Sequence, residues 1–325
     1  MAKNFFDRVK KFLPIIGIIT FIYLLYSLDI GKVIKVVLSI PVLYILLSVI
    51  FTVPRILIRN YAWMMIHREQ KIRIGFLRSL KIFLIGYFYG SITPGYIGQL
   101  MRVPYMKEET GEPYGKLFVN SFIETTVHTL SLYGMMLIGA LLIIGVYPEL
   151  FTIVCIWIFI LVIILAYFVK KERGEKVFYF LVRRLIPKQL RNNASRFIDT
   201  FYNDFPKIRS LLSPLLLGSL TWVIISSQEY IIVLSIGANI PYLYFLLLFP
   251  VANTVGLIPI TFAGLGTREL TAIFLFSSLF AVTKEEVFVF TLTGFIITDL
   301  LTGFVGFLLS LTETRKKDIY HTLKK

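Results

Sequence analysis

Apolar stretches of helix length recur along the chain, near residues 12–28, 38–58, 117–144, 151–169, 214–236 and 287–311. Each comes close to the ~20 residues that an α-helix needs to cross a hydrocarbon layer. The ten-residue alternation of a membrane barrel is missing. The pattern predicts an all-α polytopic membrane protein with six full transmembrane helices. Two other apolar stretches are broken by proline and glycine, and each break is soon followed by an arginine. The first runs Ser91 to Arg102 and holds Pro94, Gly95 and Gly98; the second runs Gly256 to Leu270 and holds Pro259, Gly264 and Gly266. Broken backbone survives at membrane depth only where protein buries it or a cavity adjoins it. The two breaks therefore predict re-entrant broken-helix hairpins, and such breaks in corresponding places of two halves point to a transport site.

Composition agrees with a membrane assignment: 57% of residues are hydrophobic and 16% are charged, against about 25% charged in soluble domains. The net charge of +15 does not call for nucleic acid, because lysine and arginine gather in the cytoplasmic loops of membrane proteins. With both hairpins re-entrant, residues 1–12, 55–81, 98–116, 170–209 and 315–325 fall on one side and hold 30 of the 34 lysines and arginines. This places both termini in the cytoplasm and the protein in the cell membrane. The basic N-terminus reads as an uncleaved first helix, since no small-x-small site precedes Asp29. The chain then forms one integral membrane domain, 1–325, whose halves, 1–146 and 147–325, run in opposite senses as an inverted repeat. A cytoplasmic connector, 170–213, carries Phe197, Ile198, Phe201, Phe205, Ile208 and Leu212 at helical spacing. That spacing predicts an amphipathic helix on the inner leaflet.

Ionisable groups inside a membrane cost on the order of 3 kcal/mol each and face a cavity or a partner. They are Arg102, Glu124, His128, Glu229, Arg268, Glu269 and Asp299. Arg102 and Glu124 are expected at similar depth and can pair; Asp299 or Glu229 can neutralise Arg268. Glu124, Glu229 and Asp299 read either as buried counter-ions that hold helices together or as charges that balance an empty site. His128 reads first as a satisfied polar contact. Each arginine follows a break where a half-helix begins, and helix N-termini attract anions through their free N–H groups. A guanidinium nearby adds a bidentate phosphate ligand. Arg102 and Arg268, with Gly95, Gly98, Gln99, Gly264 and Gly266, thus form the candidate headgroup-binding set.

Catalysis and cofactors find no support in the sequence. The single cysteine, Cys155, allows no intrachain disulfide, and His67, His128 and His321 are scattered, which argues against a zinc site. Gly264-Leu265-Gly266 lacks the spacing of a dinucleotide fingerprint, and no nucleophile elbow is present. Glu108 and Glu109 read as loop residues.

At its two breaks the chain resembles the flippase-like membrane family typified by the transmembrane part of lysylphosphatidylglycerol synthetases. The matching residues are Pro94-Gly95-Tyr96-Ile97-Gly98-Gln99-Leu100-Met101-Arg102 and Pro259 with Gly264-Leu265-Gly266-Thr267-Arg268-Glu269; Arg59 to Trp63 and Glu124 also fit. Gln99 stands where the family pattern has an acid, and Thr125 and His128 stand where it has a basic and an acidic residue. The resemblance implies the translocating module alone, one that moves an anionic or phosphate-bearing lipid, aminoacylated or glycosylated among them, between leaflets. Any lipid-modifying enzyme would act in trans. The competing readings are a secondary transporter of a small anionic solute and a non-transporting scaffold for such an enzyme.

Overall fold

The computed structural model describes residues 19–169, 176, 199, 202–259 and 261–323. Regular structure among these residues is helical throughout, with no strand. Residues 19–27 form α1, followed by α2 (Ile30–Ser39), α3 (Val42–Glu69) and α4 (Phe76–Ser91). After the first break come α5 (Arg102–Thr110), α6 (Tyr114–Leu142) and α7 (Pro148–Val169). The second half holds α8 (Leu212–Ser235), α9 (Tyr242–Gly256), α10 (Thr267–Leu279), α11 (Lys284–Phe295) and α12 (Leu301–Leu323).

Among the described residues, four helical stretches are long and apolar enough to cross a membrane: Val42–Glu69, Tyr114–Leu142, Ile208–Ser235 and Lys284–Glu313. Pro148–Ile164 and Tyr242–Gly256 are shorter apolar helices. The first expected span, 12–28, lies partly outside the described residues, as does most of the connector 170–213. At the connector's end, Phe205 and Leu211 pack on Ile66, Val119 and Ile123, and a 3-10 turn, Ile208–Leu211, leads into α8.

Three local features differ from expectation. Residues 30–39, between the expected spans 12–28 and 38–58, form a helix that no expected element covers. Asp29 caps it by accepting from the Lys32 N–H at 3.1 Å, and Val33 and Val36 pack on the main core. Next, α3 continues past residue 58 to Glu69, and Arg55 and Arg59, counted above on the cytoplasmic side, are buried within it at 4% and 9% exposure. Pro54 stands inside this helix, where it removes one ladder donor. Finally, Glu108 and Glu109 belong to α5, not to a loop, and Glu109 accepts from Arg78 on α4 at 2.6 Å.

Helices far apart in the sequence pack on one another. Helix α3 lies along α8, α4 along α12, and α9 along α6. Glycines permit the closest approaches: Gly139 of α6 abuts the Leu247 carbonyl of α9, and Gly306 of α12 abuts the Leu84 carbonyl of α4. Small residues at such crossings let helix backbones approach where lipid offers no hydrophobic drive to associate. The largest core cluster holds the mutually packed rings of Phe245, Phe249, Phe276 and Phe290. Outward residues such as Leu46, Ile50 and Val53 on α3 and Phe159 and Ile163 on α7 are apolar and exposed, as a surface facing lipid requires.

Candidate functional site

The first break is held by its own side chains. Thr93 Oγ1 donates to the Tyr89 carbonyl at 2.9 Å and accepts from the Gly98 N–H at 2.8 Å. Gly95 (φ 60°) and Tyr96 (φ 56°) then reverse the chain in the left-handed region, which a glycine enters at little cost. A 3-10 turn, Ile97–Met101, delivers Arg102 to the start of α5. There the Arg102 Nη2 lies 2.7 Å from Glu124 Oε2 and donates to Gln99 Oε1 and Thr125 Oγ1, both at 3.1 Å. Arg59 approaches the other oxygen, Glu124 Oε1, at 3.0 Å. One buried carboxylate is thus clamped by two arginines from different helices. Trp63 lies beneath Arg102, 4.8 Å from the guanidinium carbon to the ring centre.

The second break turns through Ala263 (φ 46°), Gly264 (φ 81°) and Gly266 (φ 89°). Gly264 packs on Gly256, so close that an added Cβ would lie 2.8 Å from the Gly256 Cα. Arg268, in the first turn of α10, lies 2.7 Å from Glu269 Oε1 and 3.8 Å from Asp299 Oδ2. Asp299 sits in a π-helical turn, Ile296–Leu300, between α11 and α12. Such turns are frequent at functional positions because they re-aim side chains within a helix. Its Oδ1 accepts from Tyr87 Oη at 2.6 Å and from Tyr96 Oη at 3.0 Å.

The two breaks touch. Pro94 and Phe262 form an isolated antiparallel backbone bridge, and a Cβ at Gly95 would lie 2.8 Å from the Pro259 Cβ. Beside this junction is a cavity of about 260 Å³. Among the expected site residues, Gly95, Gln99, His128, Glu229, Arg268 and Asp299 line it. Gly98, Arg102, Glu124, Gly264, Gly266 and Glu269 are not in the lining; they build and brace the breaks. His128 stacks on Trp222 with ring centres 4.8 Å apart.

Two aspects of the site were not anticipated. Arg55 and Arg59 also line the cavity, and Arg55 Nη2 donates to the Thr298 carbonyl and to Thr302 Oγ1, both at 2.8 Å. No ion pair to Arg55 occurs among the described residues. The readable signal was their i, i+4 spacing, which puts two arginines on one helix face. The second concerns the expected free N–H groups of the half-helices. The Gly266 N–H is taken by Glu269, the Arg268 N–H by the Gly264 carbonyl and the Gln99 N–H by the Tyr96 carbonyl. Positive character in the cavity therefore comes from guanidinium groups and not from these donors.

Long apolar helices around a charged internal cavity define a polytopic α-helical membrane protein. The chain belongs to the family described as lysylphosphatidylglycerol synthase TM region, whose family model matches residues 12–306. Membership places it among membrane proteins related to lipid modification or transport. No curated protein matches it.

Proposed function

We propose that this protein moves a lipid with an anionic, phosphate-bearing headgroup between the leaflets of the cell membrane. The observation that carries the reading is the cavity at the junction of the two breaks, with Arg55, Arg59 and Arg268 in its lining. Arg55 has the guanidinium least committed to carboxylates, and a phosphate suits its planar fork. A volume of about 260 Å³ suits a headgroup but not acyl chains, which would stay in the bilayer.

In this reading the two breaks are re-entrant hairpins from opposite faces, the chain has six full spans, and both termini are cytoplasmic. The reciprocal α4–α12 and α6–α9 contacts support an inverted repeat of 1–146 and 147–325. Rocking of the repeats about the Pro94–Phe262 junction would then expose the cavity to each leaflet in turn. Arg102 and Glu124 act here as a brace for the first break; Arg268 and Asp299 serve both the second break and the cavity. Catalysis is assigned to no residue, and any headgroup modification is left to an enzyme in trans.

Native mass spectrometry of the purified protein tests the binding site. One phosphate-bearing lipid class retained by wild type and depleted in Arg55→Gln and Arg268→Gln supports it. Retention unchanged by either substitution moves the reading to a scaffold. Displacement of a free phosphate or carboxylate, with no lipid retained, moves it to a transporter of a small anionic solute.

A further inference from the structure

Four buried carboxylates gather round the two breaks, and three of them are matched. Glu124 has Arg59 and Arg102, Glu269 has Arg268, and Asp299 has Arg268 with two tyrosine hydroxyls. Glu229 is the exception. It lies on α8 at 2% exposure and lines the cavity. Its Oε2 has no hydrogen-bond partner, and no ion pair to it occurs among the described residues. The fold makes room for it all the same. A Cβ at Gly294 on the adjacent α11 would lie 2.8 Å from the Glu229 Cγ and 3.2 Å from its Oε1.

A carboxylate buried with no ion pair, and with one oxygen lacking a donor, is costlier ionised than protonated. Other charged and titratable groups around the cavity are Arg55 and Arg59 from α3, Tyr87 and Tyr96 from α4 and the first break, His128 and Tyr133 from α6, Arg268 from α10 and Asp299 from the π turn. Helix α9 presents the amide of Asn253, and α11 presents Gly294. Glu124 holds Arg59, Asp299 and Glu269 hold Arg268, and Arg55 is turned to the Thr298 carbonyl and Thr302 Oγ1, which leaves Glu229 Oε2 with a free place for a proton.

We propose that Glu229 is a proton-binding site of the cavity and couples headgroup movement to a proton gradient. The inference of coupling rests on the transport reading; the proton site does not. One proton enters from the aqueous phase on the loading side together with one anionic headgroup and binds a Glu229 carboxylate oxygen. Both leave on the opposite side, and the carboxylate is restored for the return. The cycle moves one positive and one negative charge together, so it is electroneutral.

Two measurements on the full-length protein test this separately. Infrared difference spectra across a pH step should show the carbonyl stretch of a protonated carboxylic acid, lost in Glu229→Gln. Gly294→Ala, which crowds the carboxylate and leaves the acid in place, should shift the same band and covers the case in which Glu229→Gln does not fold. A wild-type spectrum without that band at any pH, or with the band kept in Glu229→Gln, overturns the proton site. Coupling is read in phosphatidylcholine vesicles that carry acyl-labelled phosphatidylglycerol. With one proton per lipid, an imposed gradient of one pH unit should skew the leaflet ratio up to about tenfold, and Glu229→Gln should leave it even. Lipid movement with an even ratio in wild type overturns coupling. Absence of movement in wild type overturns the transport reading, while the infrared band still decides the proton site.

Discussion

Glu124 holds two arginines at once, Arg59 at 3.0 Å and Arg102 at 2.7 Å. Removing one partner of a buried ion pair typically costs about 3–5 kcal/mol, because the remaining charge stays buried. Glu124→Ala should therefore lower the melting temperature of the detergent-solubilised protein markedly; an unchanged melt would show that the clamp carries no stability. Arg55 should behave differently. Arg55→Gln keeps an amide donor for the Thr298 carbonyl and loses the charge, so fold is largely kept while retention of a phosphate-bearing lipid falls about ten- to a hundredfold, from the ~1.5–3 kcal/mol of a charge-assisted bond. Lipid titration by native mass spectrometry reads this directly. Arg102, Glu124, Arg268 and Asp299 were legible in the sequence because each is a charge set in apolar surroundings. Arg59 stood out only within the Arg59–Trp63 match to the family, with no role given to it, and Arg55 not at all, because both stand where the apolar run fades and a cytoplasmic count of arginines explains the same letters. Only the length of α3, fixed by packing against α8, carries them into the interior.

At the scale of elements, proline and glycine announced both breaks, since few other residues suit a left-handed turn such as Gly95–Tyr96. Helix α2 was hidden by its lysines, although Val33 and Val36 carry the helical spacing that seats it on the core. The π turn around Asp299 has no local signature in residues 296–300; it depends on the contacts of Asp299 with Tyr87, Tyr96 and Arg268. Glycine substitutions separate close packing from backbone freedom. A Cβ at Gly98 would run into the Tyr89 backbone carbonyl, so Gly98→Ala should cost about 1–3 kcal/mol as the break is forced apart. Gly111 has φ 71° and open space around it, so Gly111→Ala should cost only the ~1–2 kcal/mol of a left-handed residue. Thermal melts of the two variants compare them, and Gly98→Ala should also reduce lipid movement, whereas Gly111→Ala should not.

For the molecule as a whole, the two breaks meet at Pro94 and Phe262, and in the proposed cycle they must part for a headgroup to pass. Antiparallel neighbours such as Pro94 and Phe262 stand at about 4.5–5.5 Å between Cα atoms, within disulfide reach. Pro94→Cys with Phe262→Cys, in a Cys155→Ser background, should cross-link on oxidation and halt lipid movement until reduced. Movement that continues through the cross-link would show that the junction stays closed throughout. The membrane class and the breaks were readable from hydropathy and punctuation alone. The cavity was not, because its lining comes from α3, α4, α6, α8, α9, α10 and the π turn, residues far apart in sequence that only the packed helices bring together. The most direct test of the central claim is leaflet exposure in proteoliposomes. An acyl-labelled phosphate-bearing lipid is mixed into both leaflets and challenged with a reductant that cannot cross the membrane. Wild type should give up nearly all of the label, while the Arg55→Gln, Arg268→Gln double variant, verified as folded, should give up only the outer leaflet's share. Outer-leaflet loss alone with wild type, or complete loss with both proteins, would contradict it.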